Sequence, residues 1–75
     1  MGREIDFVVL KNKKPLFAVE CKTGEGSVAS NLKYFSARLP IPRYYQVHFG
    51  VKHAEIAEYK TEIIPFIEFS KTLGI

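Results

Sequence analysis

Two short runs of alternating character open the chain. Residues 4–10 read Glu-Ile-Asp-Phe-Val-Val-Leu and residues 16–22 read Leu-Phe-Ala-Val-Glu-Cys-Lys. Between them, Lys11-Asn12-Lys13-Lys14-Pro15 has turn composition, so the pattern predicts an antiparallel hairpin. Side chains alternate across a strand, which groups Glu4, Asp6, Val8 and Leu10 on one face of the first strand. On the second strand Leu16, Ala18, Glu20 and Lys22 share a face, and Phe17, Val19 and Cys21 share the other. The Phe17 side, almost wholly apolar, is the expected core, with Cys21 an inert core thiol. Placing Leu10 opposite Leu16 sets Val8 against Ala18, Asp6 against Glu20 and Glu4 against Lys22, and a slip of one residue would bring charges onto the apolar face.

Thr23-Gly24-Glu25-Gly26 breaks the second strand, and Ser27 is the expected N-cap of a helix running to about residue 39. Val28, Leu32, Phe35 and Leu39 carry its apolar stripe at helical spacing. Pro40 and Pro42 end it. Residues 44–49 form the next strand, with Tyr45, Val47 and Phe49 on one face, Tyr44, Gln46 and His48 on the other, and Gly50 closing it. A strand, a crossover helix and a strand make a parallel, right-handed unit. Residues 55–64 are apolar enough for a fourth strand, and Pro65 suits the first turn of a terminal helix anchored by Phe66, Ile67, Phe69 and Leu73. The expectation is a single α/β or α+β domain over residues 1–75, of order ββαββα, on a mixed sheet.

Composition narrows the class. Hydrophobic residues at 47% and charged residues at 25% are globular values and argue against disorder. A chain of 75 residues buries only roughly 60–65% of its unfolded surface, less than larger domains do, which makes self-association, as a homodimer, an expected partner relation. The single cysteine excludes an internal disulfide framework and, with His48 and His53 distant, gives no zinc spacing. No apolar run has membrane-spanning length and Arg3, Glu4 and Asp6 occupy the place of a signal-peptide core, so a cytoplasmic protein with no membrane partner is expected. A net charge of +3 permits a polyanion partner. The cations gather before residue 44, and the acids beyond Glu25 lie mainly in residues 55–68.

The charged face of the hairpin carries the candidate chemistry. In the expected register the Asp6 and Glu20 carboxylates stand about 5 Å apart at Cβ, a destabilising arrangement unless a proton, a lysine or a cation neutralises it. Mg²⁺ is commonly held by one or two carboxylates, with water and phosphate completing its shell. On spacing alone, cross-strand pairing on a solvated sheet face is the favoured account of Glu4, Asp6, Glu20 and Lys22. Lys33, Arg38 and Arg43 are candidate DNA-phosphate contacts, or equally ordinary surface charge. Tyr44 and Tyr45 read as half-buried sheet residues before they read as base-stacking ones. His48 and His53 stay outside the site.

Asp6 followed fourteen residues later by Glu20-Cys21-Lys22, and then by a helix, resembles the PD-(D/E)XK nuclease superfamily and reverses that order of preference. The resemblance is closer to the nuclease-like domain at the C-terminus of many archaeal and bacterial AAA-type ATPases, where Glu-x-Asp-Phe and Glu-x-Lys precede a helix and a strand. It covers nearly the whole chain, including the ending Ile64-Pro65-Phe66 and Glu68-Phe69. Archaeal Holliday junction resolvases resemble it more loosely. What the resemblance implies is a restriction-endonuclease-like core in which Asp6 and Glu20 bind Mg²⁺ or Mn²⁺, the Cys21 carbonyl is a further ligand, and Lys22 activates water or contacts the scissile phosphate. The chain begins five residues before Asp6, so the upstream helix of that family is absent and Glu4 would stand in for the acid it supplies. The implied function is a metal-dependent DNA endonuclease. The alternative is a catalytically inactive nuclease-fold module, truncated from an ATPase-associated protein, that binds DNA or a protein partner, with a separate ATPase as one such partner.

Overall fold

A computed structural model of the chain describes residues 5–24 and 26–74. Two strands, β1 (Phe7–Lys11) and β2 (Lys14–Cys21), lead to helix α1 (Ser30–Ser36) and strand β3 (Tyr44–His48). Strand β4 (Ala54–Ile56), a single 3-10 turn (Ala57–Tyr59), strand β5 (Thr61–Pro65) and helix α2 (Phe66–Leu73) complete an α+β domain. The sheet is mixed and five-stranded, in the order β1-β2-β3-β5-β4. Strand β2 pairs parallel with β3, as the crossover helix requires, and β3 pairs parallel with β5.

The first hairpin closes through Asn12 and Lys13, both at positive φ (54° and 68°). Positive φ at both central residues is the pattern of a type I′ turn, whose twist matches that of the flanking strands. Asparagine adopts this region at little cost, whereas lysine does so only under strain. Lys13→Gly is therefore expected to raise stability by roughly 0.5–1 kcal/mol; a urea midpoint that stays put or falls would contradict this. The register places Val8 against Ala18 as expected, but slips between Val9 and Leu10, so that Leu10 opposes Pro15 rather than Leu16. Proline has no amide hydrogen to give to a ladder, and an irregular position tolerates it.

Both faces of the sheet are covered. Ala18, Val28, Leu32, Ile41, Tyr44 and Ile63 pack together on the α1 side. Phe17, Val19, Val47, Ile64 and Phe69 pack together on the α2 side. The Phe17 side is core as expected, and the Ala18 side, under α1, is core as well. Cys21 is also corrected: it is exposed, because the apolar cluster around Phe69 reaches Val19 and stops there.

Further expectations change. Helix α1 starts at Ser30 after an N-cap at Ala29 that offers no side-chain hydrogen bond, so Ser27 is not its cap. It ends at Ser36 rather than near residue 39, which leaves Leu39 exposed. The expected fourth strand is two strands: Ala57–Tyr59 reverses the chain, Lys60 takes a left-handed conformation (φ 54°), and β4 lies antiparallel on β5 at the sheet edge. The order is ββαβββα in place of ββαββα. Of the four residues expected to anchor α2, Phe69 is buried, while Phe66, Ile67 and Leu73 are exposed. Among the described residues no helix is long and apolar enough to cross a membrane.

Candidate functional site

Asp6 lies in a bend just before β1. Continuing the pairing of Phe7 with Val19 by one residue brings it beside Glu20, the neighbour the sequence expects. The backbone ladder does not extend that far, and the Asp6 side chain replaces it: Oδ2 accepts a hydrogen bond from the Cys21 amide at 2.6 Å. The carboxylate thereby satisfies an edge N–H that the first strand leaves without a main-chain acceptor. A charged acceptor makes this a strong contact and fixes Asp6 at the end of β2.

Glu20 is half-buried on β2, in register with Gln46 of β3. Its Oε1 accepts a long hydrogen bond from Asn31 Nδ2 of α1 at 3.4 Å. Burial above all, and then the neighbouring Asp6 charge, raise the Glu20 pKa, against the opposing influence of Asn31 and Lys22. Lys22 follows β2 directly; its amide donates to the Val47 carbonyl at 2.8 Å, and its side chain is exposed. Partial desolvation, and then the charges of Asp6 and Glu20, push the exposed Cys21 thiol up, which favours its protonated form.

Two carboxylates that share a strand end, with one Asp6 oxygen engaged by an amide, leave hard oxygen donors of the kind that hold Mg²⁺ or Mn²⁺ alongside water and phosphate. That donor set fits an octahedral oxygen-loving cation. Among the described residues no group of three or more His, Cys, Asp or Glu side chains is placed to hold a metal. The proposed auxiliary acid, Glu4, lies outside the described residues.

The segment after Lys22 is held from β3. Gln46, buried, donates from Nε2 to the Ser27 carbonyl at 3.0 Å and accepts from the Ala29 amide at Oε1 at 2.7 Å. Lys52 Nζ adds a contact to the Gly26 carbonyl at 3.0 Å. A side-chain amide carries a donor and an acceptor on one rigid group, so it can brace both sides of a turn entering a helix. Sequence reasoning missed Gln46; a glutamine between Tyr44 and His48 on the strand face under α1 was the available signal.

The candidate phosphate-binding cations lie elsewhere on the surface. The Lys33 ammonium stands 5.5 Å from the Tyr59 ring centre. Arg38 lies over the Tyr34 ring at 4.0 Å and donates to the Tyr34 carbonyl at 3.0 Å. Arg43 precedes β3, toward the opposite end of the sheet from Lys22, and grips Glu55 through two hydrogen bonds of 2.6 and 2.7 Å. It also reaches Glu62 at 2.7 Å, and His53 bonds the other Glu62 oxygen. The hydrogen bonds to Glu55 hold the Arg43 pKa far above its ordinary value, and Arg43 in turn holds the Glu55 carboxyl below its own. Such a bidentate pair is geometrically specific, which commits the guanidinium to the β4–β5 hairpin.

Neither tyrosine at the start of β3 is open for stacking. Tyr44 is buried and donates to the Phe35 carbonyl at 3.1 Å, and Tyr45 meets Phe17 edge to face at 5.2 Å. His48 is buried between the Gly50 amide, 2.9 Å from Nδ1, and the Lys52 carbonyl, 2.7 Å from Nε2. Since Nδ1 accepts, Nε2 carries the proton, and the ring closes the turn after β3. No family model matches the chain, and neither a curated protein nor a solved structure matches it.

Proposed function

We propose that the chain is a metal-dependent nuclease-like domain of PD-(D/E)XK type that hydrolyses phosphodiester bonds in DNA. The observation that carries this reading is the Asp6 Oδ2 contact to the Cys21 amide, 2.6 Å long. It brings the acid of one strand to the Glu20-x-Lys22 segment of the next, where the sequence alone leaves the three residues merely compatible. In this reading Asp6 and Glu20 hold Mg²⁺ or Mn²⁺, which supplies Lewis-acid neutralisation of the phosphate and a more acidic bound water. Asp6 is oriented by its amide contact, which leaves its second oxygen for the ion. Glu20, whose carboxyl is held up by burial and by Asp6, gains most from a nearby cation. Lys22, exposed at the strand end, reaches the phosphate or the attacking water.

The second reading is the silent nuclease-fold module. It is favoured by the absence, among the described residues, of any group of three or more candidate ligands. Cleavage of single-stranded, duplex and branched DNA with Mg²⁺ or Mn²⁺ separates the two. The nuclease reading expects metal-dependent cutting that falls about tenfold or more in Lys22→Ala. DNA binding without cutting in either metal would leave the silent module standing.

A further inference from the structure

The sheet has two edges, β1 and β4, and they differ in kind. Strand β4 is three residues long and carries Glu55 at its centre, held by Arg43; a short, charged edge discourages pairing with another chain. Strand β1 reads Phe7-Val8-Val9-Leu10-Lys11, four apolar residues in a row with a charge only at the end. Phe7, Val8 and Leu10 are 46%, 41% and 59% exposed, and none of the three belongs to the apolar clusters on either face. The direction of the β1 main-chain groups follows from β2. The Ala18 amide donates to the Arg43 carbonyl at 2.9 Å, on the β3 side, while the Cys21 amide turns the other way, to Asp6. Val8 stands opposite Ala18, so it belongs to a non-hydrogen-bonded pair and its own N–H and C=O point outward. Alternation turns those of Leu10 outward as well, and those of Phe7 and Val9 toward β2.

A row of outward main-chain groups on an apolar edge is a template for an added strand, and charge selects which strand. Asp6 precedes β1, and Lys11, Lys13 and Lys14 lie at its other end. Antiparallel pairing with a second β1 sets the acidic end of each copy against the basic end of the other, whereas parallel pairing sets like against like, which is destabilising. The segment is thus complementary to its own reverse, the requirement of a twofold joint. Residues directly opposite share a sheet face, so the twofold axis passes through a residue and not between two. With Val9 on the axis, Val8 meets Leu10 of the second copy, both with outward amides, and Phe7 meets Lys11, a pairing that suits a cation beside an aromatic ring. With Val8 on the axis, Leu10 would need Asp6 as its ladder partner, and Asp6 lies in a bend outside β1.

We infer that β1 is the joint of a homodimer, paired antiparallel with β1 of a second copy about an axis through Val9, so that two five-stranded sheets become one. The joint covers the outward amides of Val8 and Leu10 and the exposed side chains of Phe7, Val8 and Leu10 together. It leaves the Asp6 contact to the Cys21 amide as it is. It goes beyond the proposed nuclease reading and does not depend on it, since Asp6, Glu20 and Lys22 take no part in the pairing.

Sedimentation velocity on the whole chain tests the joint, with a particle of twice the 8.6 kDa chain mass expected at high micromolar concentration. Leu10→Lys places an ammonium against Val8 of the other copy at both ends of the ladder, and is expected to raise the dissociation constant at least about tenfold. Leu10 is exposed, so the far-UV circular dichroism of the variant should match wild type. Amide exchange on wild type reads the same joint without a substitution: protection at Val8 and Leu10 should rise with concentration more steeply than at Phe7 and Val9, which already bond to β2. Register is read by cross-linking in a Cys21→Ser background. Facing Val9 Cα atoms in a non-hydrogen-bonded pair stand about 4.5 Å apart, within disulfide reach, so Val9→Cys should oxidise to a covalent dimer and Val8→Cys should not. A monomer at every concentration, a dimer that survives Leu10→Lys, or cross-linking through Val8→Cys in place of Val9→Cys overturns the proposal. The first of these would leave the edge to a strand from a different protein.

Discussion

On the proposed nuclease reading, replacing Glu20 by glutamine is expected to cut Mn²⁺-dependent DNA cleavage at least about a hundredfold, the scale seen when one charge-stabilising group is lost, while making the fold slightly more stable. Calorimetric titration should show Mn²⁺ binding lost with it. The stability effect follows from the raised pKa of Glu20, caused first by burial and then by Asp6. A carboxyl whose folded pKa exceeds its unfolded one binds its proton more tightly in the folded state. Its stabilising contribution is present at low pH and is lost as pH rises through the folded pKa. At neutral pH the charge is therefore a cost, which the neutral amide removes; solvent screening of this half-exposed group keeps the gain small. Thermal melts between roughly pH 4 and 7 check the sign: wild type should gain on Glu20→Gln as the pH falls. A variant less stable at neutral pH, or one that still binds Mn²⁺, would show that the protein already neutralises this carboxylate and needs no cation.

Gln46→Leu is expected to destabilise the domain by about 2–4 kcal/mol. The substitution preserves bulk but removes both hydrogen bonds to the segment entering α1 and leaves the buried Ala29 amide without its acceptor. An orphaned buried backbone group costs about 1–3 kcal/mol, and the lost bond to Ser27 adds to it. Against a total of about 0.05–0.15 kcal/mol per residue, that is a large share of the stability of so small a domain. Urea denaturation measures the loss, and amide hydrogen exchange locates it: protection at Ala29 should fall by more than protection at Val19 in the sheet centre. A loss under about 1 kcal/mol would mean that α1 is held by the Leu32 contacts alone.

Residues 7–22 were the most legible part of the chain. Two apolar runs are bounded by charged residues there, the turn composition is unambiguous, and the pairing of Val8 with Ala18 follows from keeping charges off one face. The parallel crossover was legible for the same reason, since a helix between two strands admits few topologies. The split of the last strand was not. No glycine, proline or asparagine lies between residues 54 and 64, so the reversal at Ala57–Tyr59 carries no turn signature, and only pairing of β4 along β5 reveals it. The end of α1 and the exposure of Leu39 were equally hidden, because an apolar stripe states which face is buried and not where the partner surface stops.

The sequence by itself determined the acids and the lysine at the strand end, the hairpin and the parallel pairing of β2 with β3, and a mixed sheet, because local period and charge pattern are properties of neighbouring residues. Tertiary structure alone decided that Asp6 is anchored through the Cys21 amide, that Gln46 braces the turn before α1, that Arg43 is committed to Glu55 and Glu62, and that Phe49 and Phe66 rather than the tyrosines are open to solvent. Each of these depends on which strand lies beside which and where a covering helix ends. Those are long-range facts, set by the packing of two helices on opposite faces of one sheet, and no pattern of spacing along the chain encodes them.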